Sequence, residues 1–390
     1  LFYVFSLKTE DLWCMRGCGF LGQRVSSPVA GSRIRHASGA YRFSFFPPAA
    51  AFSTCNFSTV QHSASSDLNA DIFEVENENV SLRNLGKTGL QVSSIGLGCW
   101  PLSASTRPAQ QQALQVINAA VQLGVTFIDT ADAYCIDDAV DPNHNERLIR
   151  LAAYGYNVFN DHRLPPFESV IVATKGGCVR PNGEWRTNGT ARHLKAACQR
   201  SKAALQTDRI SLYQLHAPDA GVPFLHSVEA LAELQQEGSI KHIGLSNVDL
   251  EQLKEAEKIV EVVTVQNELS VLAGGDEQLQ LVEYCSANEI SFLAHSPFGG
   301  KDAHQALPAH PVLQEMADRY NTNPYILALW SLLELSPAII PIPGATFVSS
   351  VQTNVYAAAT FGKAGSGGLG NILESADVSR LLSLFSKTHS

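Results

Sequence analysis

The sequence predicts an α/β protein, a (β/α)8 barrel capped by an N-terminal hairpin. Two observations carry that expectation. From about residue 80 onward, short β-branched apolar runs alternate with amphipathic helical stretches, and there are eight such runs. Strands that alternate with helices pair in parallel, and eight such units close most simply into a barrel, with a doubly wound open sheet as the alternative. A third observation supports these two: most runs are almost continuously apolar, as strands covered on both faces must be.

The elements follow in order. A hairpin occupies residues 82–92, with Gly86 and Gly89 at its turn. Strands are predicted over 94–98, 126–129, 169–174, 210–215, 240–245, 262–266, 290–294 and 338–342. Helical patterns over 108–123, 144–154, 190–205, 224–236, 250–260, 276–287 and 311–320 separate them, and 349–360 follows the last strand. Gly124 and Gly238 stand just past helix ends, where a residue free to turn left-handed stops a helix. The barrel is therefore placed at 67–390, with a motif-bearing core over 81–360 and a variable tail over 361–390.

Composition narrows the function. The chain has 390 residues and a net charge of −9, with no dense Lys/Arg stripe, a poor match to a nucleic-acid partner. A membrane span needs ~18 apolar residues, and Glu334 interrupts the longest candidate, 325–335. The eight Cys form no zinc-type or redox-type CxxC pair. A small-molecule substrate and a monomer are the default expectations. Residues 15–66 contain no Asp or Glu but five Arg and ten Ser. That is the composition of a mitochondrial or plastid transit peptide, with Met15 read as its start and 1–66 as a segment apart from the barrel.

In such a barrel the chemistry sits where the strands end. Those ends carry Gly98-Cys99-Trp100, Asp129 with Tyr134 five residues on, Lys175, His216, Ser246-Asn247, Gln266-Asn267, His295-Ser296-Pro297 and Pro343-Gly344-Ala345-Thr346. An Asp ending one strand is usually a cap, and a single His is usually a satisfied core residue. Four such groups converging on one mouth suggest more. A phenol is a weak acid until a cation stands beside it. Lys175 can supply that cation to Tyr134, Asp129 can hold the ammonium charged, and a neutral His216 can position a carbonyl. Ser246, Asn247 and Gln266 suit a primary carboxamide such as that of nicotinamide.

The motifs Leu85-Gly86-Lys87-Thr88-Gly89-Leu90, Phe127-Ile128-Asp129-Thr130-Ala131-Asp132-Ala133-Tyr134 and Ala173-Thr174-Lys175-Gly176-Gly177 resemble those of the aldo-keto reductases. So do Leu212-Tyr213-Gln214-Leu215-His216-Ala217-Pro218-Asp219, Ile243-Gly244-Leu245-Ser246-Asn247, Val265-Gln266-Asn267 and Pro341-Ile342-Pro343-Gly344-Ala345, all in that family's order. Within the superfamily the chain looks closest to the branch of bacterial-type and plant oxidoreductases that includes pyridoxal reductases and sugar dehydrogenases. The resemblance implies a (β/α)8 barrel, an NAD(P)H-dependent carbonyl reduction, and Asp129, Tyr134, Lys175 and His216 as catalytic tetrad. It implies NADP(H) in preference to NAD(H), with the carboxamide on Ser246, Asn247 and Gln266. The rest of the cofactor would lie along Gly98, Cys99, Trp100, Asp129, His295, Ser296, Pro297, Phe298, Gly299, Gly344, Ala345, Thr346, Gln352 and Asn354. The same residues could run as an NAD(P)+-dependent sugar or alcohol dehydrogenase, or serve a cofactor-binding regulatory subunit.

The chain departs from that pattern in places. His295 stands where an aromatic ring usually stacks on nicotinamide, and 349–354 lacks the Arg often found near the 2′-phosphate. The run 365–370 matches GxGxxG, but no apolar strand precedes it, so a loop is expected there. Asp302, His304 and His310 are spaced too irregularly for a metal site and read as surface loop. Cys99, Cys135 and Cys178 fall near the catalytic residues in sequence, and Lys175 close to Cys178 suggests an activated thiol.

Overall fold

The computed structural model describes residues 80–159, 169–361 and 369–386. The transit-like segment and the glycines at 365–368 lie outside the described residues. Strands β1 (Leu82–Asn84) and β2 (Gln91–Ser93) form an antiparallel hairpin around a tight turn at Gly86–Thr88. Then follow β3 (Leu97–Gly98), β4 (Phe127–Asp129), β5 (Ile171–Gly176), the short β6 (Cys178–Val179) and β7 (Arg186–Thr187), and β8 (Ile210–Leu215). The series ends with β9 (Ile240–Ser246), β10 (Val262–Glu268), β11 (Ser291–His295) and β12 (Ile339–Pro341).

Eight of these strands pair in parallel in the order β3-β4-β5-β8-β9-β10-β11-β12. A parallel bridge from Gly98 to Gly344 returns the last strand to the first. Gly98 is needed there, because a Cβ would sit 2.5 Å from the Ile342 carbonyl oxygen. The fold is thus the (β/α)8 barrel expected from the alternation of strands and helices.

Helices lie at Gln110–Gln122, His144–Phe159, Ala191–Leu205, Phe224–Gln236, Leu250–Glu257, Asp276–Ala287, Pro311–Arg319 and Val348–Thr360, all anticipated within a few residues. Pro324–Leu335 was not anticipated as a helix. Its residues from Ile326 to Leu333 are all buried, so the polar face that would betray a 3.6-residue period is missing. Its start was legible: the Asn323 side chain accepts from the Tyr325 N–H, with Pro324 in the first position. Also absent from the sequence reading were the β6–β7 hairpin and the terminal helix Ser375–Leu382, which Arg319 ties down through Asp377 at 2.5 Å.

Side chains alternate along each strand, and the inward set is graded along the barrel axis. One end is apolar: Phe127, Ala173, Leu212, Val263, Leu293 and Ile340 pack against Leu85 and Val92 of the hairpin. One step further along the strands the inward residues turn polar, with Asp129 after Phe127, Lys175 after Ala173, Gln214 after Leu212 and His295 after Leu293. Outward residues such as Ile128, Tyr213, Leu215 and Ala294 meet the helices in the larger core. The hairpin therefore plugs the floor, and chemistry is left to the opposite end.

Arg83 fastens this plug. Its buried guanidinium donates to the carbonyls of Leu333 (2.5 Å), Ser336 (2.7 Å) and Ile339, covering the C-terminal end of helix Pro324–Leu335.

Gly244 makes room for the polar layer. It pairs in register with Gln214 on one side and Thr264 on the other, and a Cβ would overlap Thr264 Oγ1 and approach Gln214 Cγ at 2.8 Å. We expect Gly244→Ala to destabilise the protein by roughly 1–3 kcal/mol through overpacking. Urea unfolding followed by circular dichroism checks this, and an unchanged midpoint would contradict the packing described.

Candidate active site

Lys175 ends the inward series of β5 and is fully buried. A buried ammonium must spend its protons on acceptors. It does so completely, donating to Asp129 Oδ2 at 2.7 Å, to the Thr130 carbonyl at 2.9 Å and to Tyr134 Oη at 3.0 Å. Burial alone would pull the ammonium down, but Asp129 and Tyr134 together outweigh it and the Lys175 pKa rises. The other carboxylate oxygen of Asp129 accepts from Gln266 Nε2 at 2.8 Å and from Gln214 Nε2 at 3.4 Å.

His216, at the end of β8, sets its ring edge-on to Tyr134 at 5.6 Å between centroids. Burial, then Lys175 and His295, holds its imidazole well below the ordinary histidine pKa, and its Nδ1 has no hydrogen-bond partner among the described residues. The structure therefore gathers Asp129, Tyr134, Lys175 and a neutral His216 at one mouth, as the sequence suggested.

Two expectations are corrected here. Lys175 does act to acidify Tyr134, but burial exceeds it, and the phenol is pushed up to about 12. It keeps its proton at neutral pH. Nor is Cys178 activated: burial, reinforced by Asp132, pushes its thiol up to about 12 against the pull of Lys175. Cys135 rises to about 12 and Cys99 rises as well, in both cases chiefly through burial. Cys99 is packed in the hydrophobic core.

The remaining residues named from sequence are distributed around the same rim. Ser246 and Gln266 are buried at the ends of β9 and β10. Asn247, at φ 57°, donates to the His216 carbonyl at 2.9 Å and to Ser246 Oγ at 3.1 Å. With its nitrogen given to Asp129, the Gln266 amide keeps its oxygen as an acceptor. His295 ends β11 and meets Ser296 Oγ at 3.1 Å, followed by Pro297, Phe298 and a left-handed Gly299. Gly344 approaches so closely that a Cβ would lie 2.5 Å from Pro101 Cγ. Ala345 is buried, Thr346 accepts from Gln112 at its carbonyl, and Gln352 and buried Asn354 lie on helix Val348–Thr360. No side chain caps that helix at Phe347, which leaves its first N–H groups open to an anion.

Sequence reasoning missed Gln214, Arg180 and Trp185. A glutamine inside the apolar run 210–215 was a readable signal for the first. Trp185, in the loop before β7, places its ring 5.1 Å from Trp100, 5.5 Å from His216 and 6.4 Å from Tyr134. Only the fold brings this ring to the mouth.

A closed parallel barrel with a Lys-Asp-Tyr-His cluster at its C-terminal mouth defines a class of barrel oxidoreductases, and the comparisons agree. The Aldo/keto reductase family profile matches residues 94–362. A probable aldo-keto reductase 1 of Glycine max is 30% identical over 304 residues, covering 70% of this chain and 83% of that protein. An uncharacterised oxidoreductase of Schizosaccharomyces pombe is 34% identical over 239 residues, covering 61% and 71%. The fold matches an aldo-keto reductase from Bacillus halodurans in its holo form, at TM-score 0.62 and 23% identity, covering 80% and 99% of the two chains. It also matches one from Klebsiella pneumoniae in complex with NADPH, at TM-score 0.60 and 24% identity, covering 77% and 93%. The chain belongs to the aldo/keto reductase family, and it is an NAD(P)H-dependent oxidoreductase.

The histidines at the mouth give stability a pH dependence. Burial first, then Lys175, lowers the His295 pKa from 6.5 to about 4. Between those values the unfolded chain binds a proton that the folded one refuses. Stability is therefore complete above pH 6.5 and falls as pH drops toward 4, by up to ~3 kcal/mol for this group. His216 adds a loss in the same direction. His295→Phe should flatten the decline without abolishing it. Urea midpoints at pH 7, 5.5 and 4.5 test this, and an unaltered slope would refute the assignment.

Proposed function

We propose that the protein reduces aldehydes or ketones with NADPH, with Tyr134 as proton donor. One observation carries this reading: Lys175 gives a hydrogen bond to Tyr134 Oη and receives none, so the phenolic proton is free to point at a carbonyl oxygen. When that proton leaves, the phenolate is stabilised by an ammonium 3.0 Å away, itself held by Asp129. His216, kept neutral, supplies a ring nitrogen to orient the carbonyl.

The residues present fit a nicotinamide dinucleotide. Ser246, Asn247 and the oxygen of Gln266 match a carboxamide, and the uncapped N-terminus of helix Val348–Thr360 suits a phosphate. When bound, the reduced nicotinamide supplies the hydride. NADP(H) is favoured over NAD(H): Thr346 and Ser349 lie beside that helix start, and NADPH is the ligand of the related Klebsiella enzyme. In this reading residues 15–66 are an organellar address, whose fusion to a fluorescent protein should label plastids or mitochondria; a diffuse cytosolic signal would count against it.

A panel of carbonyl compounds with NADPH and NADH, followed by nucleotide absorbance, tests the activity directly. Tyr134→Phe should lower kcat by roughly 10²–10⁴-fold, the scale of a lost general acid, and leave cofactor Kd nearly the same. Ser246→Ala should mainly weaken nucleotide binding. Wild-type turnover by the Tyr134 variant would overturn the role given to it.

A further inference from the structure

Arg180 is a buried cation that nothing in the proposed reaction uses. Its guanidinium lies between two indoles, 5.1 Å from the Trp100 centroid and 4.4 Å from the Trp185 centroid. Nε and Nη2 both donate to the Gly183 carbonyl, at 3.1 and 2.6 Å, which fixes the plane of the group. Among the described residues, Nη1 is buried without a hydrogen-bond partner and the guanidinium makes no ion pair. The loop is anchored independently, since the Arg180 N–H donates to the Asp138 carboxylate and the Asp138 N–H to the Arg180 carbonyl.

The molecule contains its own comparison. Arg83 is equally buried, but its Nη1 and Nη2 both reach backbone carbonyls. That is how a structural arginine is satisfied here. Arg180 keeps both N–H donors of Nη1 unspent, and the indoles offset only part of the cost of desolvating them. The uncompensated charge also stands in a particular place. Trp100 and Trp185 both pair with the Tyr134 ring, and Trp185 also pairs with His216. Trp185 is 47% exposed, so it is the face of the sandwich open to an arriving molecule.

We infer that Arg180 is a specificity-determining residue that takes an anionic group of the carbonyl substrate, a carboxylate or a phosphate, on its free Nη1 edge, with Trp185 displaced from the guanidinium as the anion arrives. The inference rests on the carbonyl-reductase reading and names the substrate class of that site. A planar guanidinium suits either anion, because both accept paired N–H bonds.

The full chain with NADPH is assayed on two matched pairs: 4-carboxybenzaldehyde against 4-formylbenzamide, and glyceraldehyde 3-phosphate against glyceraldehyde. The wild type should prefer the charged member of at least one pair by about 10- to 100-fold in kcat/KM, the scale of one charge-assisted hydrogen bond. Whichever pair shows it separates carboxylate from phosphate. Arg180→Met should bring that ratio close to one, mainly through KM, and Arg180→Lys should restore part of it. Equal use of both members by the wild type, or a ratio kept by Arg180→Met, overturns the inference. Titration of the wild type with benzoate, phenyl phosphate and benzamide, read by tryptophan fluorescence with and without NADP+, needs neither turnover nor a variant. A saturable response to either anion and not to benzamide supports it, and equal responses to all three, or none to either anion, overturn it. If no carbonyl compound is reduced, the proposed function falls, while the titration still decides the fate of Arg180.

Discussion

The Lys175–Asp129 pair is the constraint around which the barrel mouth is organised. Two charges buried this deeply repay their desolvation only if the geometry is good and every remaining proton and lone pair is used. Here the ammonium has three acceptors and the carboxylate has three donors, drawn from β4, β5, β8, β10 and the segment after β4. Removing either partner would strand a charge in the barrel interior. The pair therefore adds a buried polar tie between strands already joined through their backbones, and it fixes Tyr134 with them.

The same arrangement explains why the phenol can be both high in pKa and useful. Burial costs the phenolate more than Lys175 returns while the mouth holds only protein groups, so Tyr134 remains protonated and ready. In the proposed reaction its acidity would matter at the moment a carbonyl oxygen gathers negative charge in front of it, and there the fixed ammonium would act without reorganising. His216 contributes by staying neutral, because an imidazolium beside Lys175 would raise the positive charge of the mouth and weaken the grip on Asp129.

Much of this was legible in the chain. Alternation of apolar strands with amphipathic helices gave the barrel, and the polar residues ending each apolar run gave the candidate cluster at its mouth, because inward positions recur every second residue. What stayed hidden had physical reasons. Helix Pro324–Leu335 has no polar stripe, so periodicity is silent where burial is complete. Trp185 and Arg180 sit in a loop whose side chains acquire meaning only when the fold lays them against Trp100. The thiol of Cys178 was misjudged because sequence proximity to Lys175 says nothing of burial, and burial dominates.

The Arg83 clip and the Gly98–Gly344 bridge have a consequence for how the molecule is made. Each joins the first described strands to residues about 250 positions later. Neither contact can exist until nearly the whole barrel has left the ribosome, and closing so long a loop is entropically costly before any contact rewards it. Until then the floor plug has nothing to hold, and β3 and the growing sheet present open parallel edges. The nascent chain thus passes through an extended period as an unsealed sheet, which is the interval in which a chaperone would matter most.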